Sequence, residues 1–242
     1  MNHVEILGVP FIHSTRNEFI DILHQRIKQQ NKTFVVTANP EIVMMANENK
    51  VFMEYLQTAD FITPDGIGIV KAAGWLNKPL PERVPGFDTM KDLLSLANEN
   101  QYRVYFLGAK QEVLEQCIHN VSNDFPKMEI AGYHNGFFDL DNPQIAEEIR
   151  ELKPDLIFVA LGAPRQEQWI YQNIAKFDKG IFMGVGGSFD GIAGVVPRAP
   201  EIWQKLNIEW LYRLIQQPTR WKRMLAIPRF VFKVLLQKTN KR

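Results

Sequence analysis

Cysteine is nearly absent from this chain. Cys117 stands alone among 242 residues, which excludes an internal disulfide and any cysteine-rich metal cluster and fits a reducing compartment. Long hydrophobic runs are missing too. Charge, glycine or proline interrupts every apolar stretch well before the ~18 residues that a membrane-spanning helix needs. Residues 1–10 lack the basic-then-apolar layout of a secretory signal. No G-x-G-x-x-G follows the first strand-like run, which disfavours a nicotinamide enzyme, and without a P-loop nucleotide hydrolysis has no support. The five histidines, His3, His13, His24, His119 and His134, show no metal-ligand spacing, and no motif backs Cys117 as a nucleophile. What remains is an ordinary globular composition, long enough for one large domain, or a domain with an appendage, that needs no disulfide staples.

Acidic residues are scarce in one place only. From Trp203 to Arg242 there are ten Lys or Arg and a single acid, Glu209, a net +9, whereas the preceding 202 residues carry 18 basic and 26 acidic side chains, a net −8. The overall +1 hides a basic tail on an acidic body. Trp203, Trp210 and Trp221, three of the five tryptophans, lie in that tail. Pro197, Pro200, Pro218 and Pro228 punctuate it into short helical stretches with no strand candidate. Near its end Phe230, Val231, Val234 and Leu235 share one helix face, with Arg229, Lys233 and Lys238 towards the other. Such a helix suits an anionic membrane surface; the alternative is a helix packed on the body with a solvated basic face.

The body alternates strands and helices. Strand-like runs fall at 4–9, 33–37, 60–63, 103–107, 128–133, 156–161 and 181–185, and the apolar sets Phe19, Leu23, Ile27, then Leu93, Leu94, Ala97, then Ile170, Ile174, Phe177 mark helices between them. Continuous apolar runs such as 156–161 suit strands covered on both faces. The expected fold is α/β, a Rossmann-like and largely parallel sheet flanked by helices, with a catalytic domain over residues 1–195 and a basic α-helical appendage over 196–242.

Several strand ends carry small or polar residues, and in a parallel sheet these ends open on one edge, where α/β proteins bind ligands. They are Thr37-Ala38-Asn39-Pro40, Thr63-Pro64-Asp65-Gly66, Leu107-Gly108-Ala109-Lys110, Leu161-Gly162-Ala163-Pro164-Arg165-Gln166-Glu167, and Gly184-Val185-Gly186-Gly187-Ser188-Phe189-Asp190-Gly191. Asp65 is the leading candidate for chemistry, since proline ends its strand and glycine permits a tight turn beside it; its alternative role is to cap a helix starting near Ile67. The glycine amides of the last segment suit phosphate oxygens, and Asp190 suits a base or ribose. Asp139-Leu140-Asp141 has the D-x-D form of a metal motif, but Asp141-Asn142-Pro143 reads better as a helix start.

Together with Arg83-Val84-Pro85-Gly86, these segments, in this order and spacing across almost the whole chain, resemble the WecG/TagA/CpsF family of bacterial glycosyltransferases, and the basic tail matches the appendage of its TagA/TarA branch. The resemblance implies an inverting, metal-independent and cofactor-free enzyme. It would move N-acetylmannosamine from UDP-N-acetylmannosamine to the 4-hydroxyl of GlcNAc in undecaprenyl-diphosphate-GlcNAc, for teichoic acid. By the family pattern Asp65 matches the general base, Thr37 and Asn39 line the donor pocket, Gln166 matches a pocket glutamine, and the Gly186-Gly187 turn with Phe189 and Asp190 holds the uridine end. Gly108 joins the substrate-binding set, Arg83 is either a diphosphate partner or a surface-loop residue, and Arg213, Arg220 and Arg223 match appendage arginines that close over the nucleotide. Where many relatives carry lysine before the glutamine, this chain has Arg165. A lipid acceptor places the enzyme in the cytoplasm, peripherally on the inner face of the cell membrane, where docking of the tail would complete the site. Two other readings are a transferase of N-acetylmannosaminuronic acid, which needs an extra cation, and a nucleic-acid-binding tail, which leaves the strand ends without a role. The family reading expects no nucleic-acid partner, and the oligomeric state stays open, with self-association through an apolar patch under an undocked tail as one outcome.

Overall fold

Among the described residues the seven apolar runs become eight strands. The first, read as one strand over 4–9, folds back on itself as β1 (His3–Ile6) and β2 (Val9–Ile12), antiparallel with Ile6 opposite Val9. Leu7 and Gly8 form the turn with φ of 50° and 82°, the left-handed pair that a two-residue hairpin requires. Leucine is a poor residue for that conformation, so the turn had no signal on its first residue. The computed structural model describes residues 2–197, 199–200, 202–203, 208–216 and 221–240.

The other six strands are β3 (Lys32–Ala38), β4 (Phe61–Pro64), β5 (Arg103–Gly108), β6 (Glu129–His134), β7 (Leu156–Ala160) and β8 (Gly180–Gly184). They form one sheet in the order β4-β3-β8-β7-β5-β6, and every pairing is parallel. Helices cover both faces. On one lie α2 (Pro40–Glu48), α3 (Lys50–Gln57), α4 (Ile67–Trp75), α7 (Pro143–Leu152) and α8 (Arg165–Asn173), which pack with the hairpin on Phe34, Val36, Ile157, Val159 and Phe182. On the other, α1 (Arg16–Lys28), α5 (Gly86–Asn100), α6 (Gln111–Asp124) and α9 (Ser188–Ile192) pack on Val35, Phe106, Phe158, Ile181 and Met183. Alternate residues of each strand thus feed opposite layers, which is why β7 and β8 are buried at every position.

The first and last strands of the sheet, β3 and β8, are neighbours. From β3 the chain passes to α2 on one face, and from β8 to α9 on the other, so their carboxyl ends diverge and leave a crevice. All five strand-end segments singled out in the sequence lie on this carboxyl edge.

In the tail, α10 (Glu209–Gln216), α11 (Trp221–Met224) and α12 (Ala226–Asn240) follow, and no strand occurs there among the described residues. The last helix is anchored. Phe230 and Val234 are buried in the same cluster as α2 and α4, Arg229 pairs with Glu48 at 3.6 Å, and Gln237 accepts a hydrogen bond from the Leu7 N–H at 3.0 Å. Phe230, Val231 and Val234 of the apolar face expected for α12 therefore pack on the body, whereas Leu235, expected on that face, is exposed. A second apolar stripe, Phe232, Leu235 and Leu236, faces outward with Phe232 64% exposed. Because Phe230 is a core residue on the terminal helix, Phe230→Ala should lower the unfolding free energy by about 3 kcal/mol or more in urea titration; a loss within ~0.5 kcal/mol would mean that α12 is a loosely held appendage.

Candidate active site

Thr37, the next-to-last residue of β3, lies at a point where three segments meet. Its hydroxyl donates to the Gly184 carbonyl at 3.3 Å, and the first residue of α5, Gly86, lies so close that a Cβ there would come within 2.9 Å of the same oxygen. Glycine is required at 86 by this approach. Two residues on, Asn39 caps α2, its Oδ1 accepting from Ile42 N–H at 3.0 Å, which leaves the Nδ2 donor as the end not engaged by the cap.

Asp65 follows directly. Its N–H donates to the Ala38 carbonyl at 3.0 Å, carrying the β3–β4 ladder one residue past β4. The cap position of α4 falls on Gly66, with φ of 116°, so Asp65 stands just outside the helix rather than at its cap. A Cβ on Gly68 would meet Pro40 Cγ at 2.8 Å, so the first turns of α2 and α4 are in contact. Two helix N-termini thus converge beside the carboxylate and set a positive potential suited to an anionic ligand.

Arg83 belongs to a tethered segment. Val84 N–H donates to Pro64 O at 2.9 Å, and the Thr63 hydroxyl donates to Val84 O at 3.3 Å. Residue 83 is held beside the strand end that carries Asp65, with Val84 buried under it. The backbone is held here by these bonds, while Arg83 itself is half-buried in the stretch between α4 and α5.

Across the crevice, Gln166 is buried in the first turn of α8. Its Oε1 accepts from Gly186 N–H at 3.1 Å and its Nε2 donates to Glu167 Oε1 at 2.8 Å. The amide lies flat over β8, where a Cβ on Gly184 would come within 2.7 Å of Nε2. Thr37, Asn39, Asp65, Arg83 and Gln166 are therefore brought to one stretch of the edge, over β4, β3 and β8.

The remaining candidates take other places. Phe189 is fully buried beneath the Gly186-Gly187 turn, its ring 5.7 Å from that of Phe106, so it supports the turn from below and does not offer its ring to a ligand. Gly108, at φ 127°, is packed so that a Cβ would lie 2.4 Å from Ala160 O, a constraint of the β5–β7 junction. Asp190 is half-buried on α9, and its charge, after burial itself, helps push the Cys117 thiol up to about 12, so that cysteine is an inert core residue. Arg220 lies outside the described residues, as do the side chains of Arg213 and Arg223. Asp139 and Asn142 shape a turn and a helix start: Asp139 Oδ1 accepts from Asp141 N–H at 3.1 Å, and Asn142 caps α7. Among the described residues no three His, Cys, Asp or Glu side chains cluster as metal ligands.

One residue of the site was passed over in the sequence. Glu167 is 1% exposed, and its Oε2 has no partner. Burial pushes its carboxyl up to about 7, against the opposing pull of the bonds from Gln166 and from its own backbone. An acid in the first turn of a helix ordinarily complements the dipole from the surface, so nothing in the sequence marked it as buried.

The chain matches the model of the "Glycosyl transferase WecG/TagA/CpsF family" over residues 4–242. It is 40% identical over 238 residues to a protein of Bacillus subtilis (strain 168), covering 98% of this chain and 93% of that one, which is named N-acetylglucosaminyldiphosphoundecaprenol N-acetyl-beta-D-mannosaminyltransferase. A protein of Bacillus spizizenii with the same name is 42% identical over 93% of this chain and 88% of its own. One from Staphylococcus aureus (strain MW2), again of that name, is 39% identical over 96% and 91%.

The buried acid has a stability signature. The folded chain holds the Glu167 proton more tightly than the unfolded chain, whose carboxyl sits near 4.5, so this group lowers stability as pH rises from about 4.5 to about 7. Removing it with Glu167→Gln should flatten that slope, and the variant should gain on the wild type by up to about 3 kcal/mol between pH 5 and 8 in urea titrations. A difference that stays constant across that range would show that Glu167 does not titrate there.

Proposed function

The chain belongs to the WecG/TagA/CpsF family of glycosyl transferases, and from that membership we propose that it transfers N-acetylmannosamine from UDP-N-acetylmannosamine to the 4-hydroxyl of the GlcNAc of undecaprenyl-diphosphate-GlcNAc. The product is the ManNAc-β-1,4-GlcNAc linkage unit of wall teichoic acid. The names of the relatives, matched along nearly the whole of both chains, support donor and acceptor. The observation that carries the mechanism is the order of the site along the sheet: Asp65 at the end of β4, Thr37 and Asn39 at the end of β3, Gln166 and the Gly186 turn over β8.

Inversion needs base, anomeric carbon and leaving group roughly in line. Adjacent strands lie about 4.8 Å apart, so β4 and β8 are separated by roughly 10 Å, room for an acceptor hydroxyl, the sugar C1 and a phosphate oxygen in sequence. In this arrangement Asp65 takes the proton of the acceptor hydroxyl as its oxygen bonds to C1 from one side. The C1–O bond to the diphosphate breaks on the other, and its electron pair leaves with UDP. The negative charge that develops falls near the Gly186-Gly187 turn and the helix N-termini of the crevice. Arg83, on a backbone held beside Pro64, is a cation within the site, and Arg213, Arg220 and Arg223 of the tail are further ones.

A polyprenyl acceptor requires the enzyme to work at the inner membrane surface. Among the described residues no helix is long and apolar enough to cross a membrane, and the tail offers a surface contact instead. Phe232, Leu235 and Leu236 stand at i, i+3 and i+4 on the outward side of α12, and Trp210, Ile215, Trp221 and Leu225 are exposed on the preceding stretch, in a segment of net +9. Apolar insertion and attraction to anionic lipid add in such a surface.

Asp65→Ala should lower turnover of UDP-N-acetylmannosamine, in a UDP-sugar panel with a lipid-diphosphate-GlcNAc acceptor, by roughly 100- to 10,000-fold while UDP still binds; full activity in that variant would remove Asp65 from the chemistry. For the tail, Phe232→Ser with Leu236→Ser should cut co-sedimentation with anionic vesicles at least tenfold, a scale of about 1.5 kcal/mol or more per apolar side chain. Turnover of a short-chain soluble acceptor should be kept. Undiminished vesicle binding would take α12 out of the membrane contact.

A further inference from the structure

Glu167 has no part in the mechanism above, yet it is a buried carboxylate in contact with a pocket residue. The side-chain amide of Gln166 has two orientations of equal shape, and its surroundings select one. Gly186 N–H can only donate, so it must face the amide oxygen, 3.1 Å away; an ionised carboxylate can only accept, so it must face the amide nitrogen, 2.8 Å away. Turning the amide over would set donor against donor on one side and acceptor against acceptor on the other. With glycine at 184 the amide rests directly on β8, and the carbonyl of that same residue receives the Thr37 hydroxyl. A continuous chain of contacts therefore runs from Glu167 through Gln166 to the Gly186 turn and across to β3.

We propose that Glu167 is a positioning residue of the donor site: its buried carboxylate fixes the Gln166 amide and, through it, the Gly186 turn that receives the nucleotide of the UDP-sugar. This rests on the reading of Gln166 and the Gly186 turn as part of the donor pocket. A merely structural acid would be expected to find a cation or a full set of donors. Glu167 has neither: its Oε2 is buried without a partner, and the guanidinium of its neighbour Arg165 is directed to the carbonyls of Gly136 and Phe138, at 3.4 and 3.5 Å. No charged side chain contributes to the displacement of its titration, which burial dominates. The one strong bond that Glu167 receives from another side chain is that of Gln166, and a bond to an ionised acceptor is stronger than one to a neutral acceptor.

The test is a double-mutant cycle on the full-length enzyme, read as KM for the UDP-sugar donor, kcat, and UDP affinity by calorimetry. Glu167→Ala should raise donor KM and UDP Kd roughly tenfold, with a smaller change in kcat. Glu167→Gln, which keeps an acceptor for the Gln166 amide, should recover most of that loss. In a Gln166→Ala background Glu167→Ala should have no further effect on either constant. Donor KM of the wild type should rise as pH falls below about 7, where the carboxylate takes up its proton, and Glu167→Gln should lose that rise. If Gln166→Ala weakens UDP while Glu167→Ala does not, or if the two effects add in full, the positioning role is refuted and the donor-pocket reading stands. If Gln166→Ala leaves UDP binding intact, the donor-pocket reading falls and takes this inference with it. Should Glu167→Ala fail to fold, the pH profile of Glu167→Gln decides, and a profile like that of the wild type refutes the role.

Discussion

The close approach of three backbones at Thr37 is the constraint on which the site depends. The end of β3, the end of β8 and the start of α5 come from residues 37, 184 and 86, yet the Thr37 hydroxyl is bonded to one and in contact range of the other. That density is reached only because two of the three residues carry no side chain. An alanine at 86 would strike the short, bonded threonine, and one at 184 would displace the Gln166 amide that bonds the Gly186 turn. Interiors packed at this density transmit a displacement rather than absorb it, and the distance between Asp65 after β4 and the turn after β8 is constrained accordingly.

Electrostatics follow from the same geometry. A parallel sheet sends every following helix away from its carboxyl edge, so the N-termini of α2, α4 and α5 gather where β3 and β4 end. Their unpaired amides supply positive potential without any charged side chain. A diphosphate leaving group carries more charge than helix ends alone balance. Arg83 precedes Val84, whose N–H is bonded to Pro64 O, so the backbone of a cationic residue is held beside the segment that carries Asp65.

Much of this was legible in the sequence because its causes are local. Continuous apolar runs marked the buried parallel strands, four-residue spacing marked α1 and α5, and glycine, proline and small polar residues marked the strand ends. The hairpin turn at Leu7 escaped because a leucine at φ 50° obeys no local preference and is held by its tertiary setting, including the bond from its N–H to Gln237. The pairing of β3 with β8 escaped for another reason, since strand order is set by packing over more than 140 residues of chain. Phe189 was misplaced as a ligand contact because periodicity does not tell which side of a five-residue helix faces the core. Glu167 was invisible because burial is a property of the assembled crevice, not of the residue.

A carboxyl group held near neutrality inside a protein is a cost that the fold would shed unless something offset it. Glutamine at 167 would pack in nearly the same volume and remove the penalty of a buried charge, and the hydrogen bond to Gln166 would survive in weaker form. Selection for stability alone therefore points away from glutamate. Selection for a rigid pocket points towards it, because an acceptor on both oxygens refuses the alternative amide orientation from its own side, whereas a glutamine could turn and leave that choice to the Gly186 N–H. Buried polar groups of this kind trade stability for a single arrangement. The place where the chain accepts that trade is the turn of α8 that faces the Gly186 amide, on the far side of the crevice from Asp65.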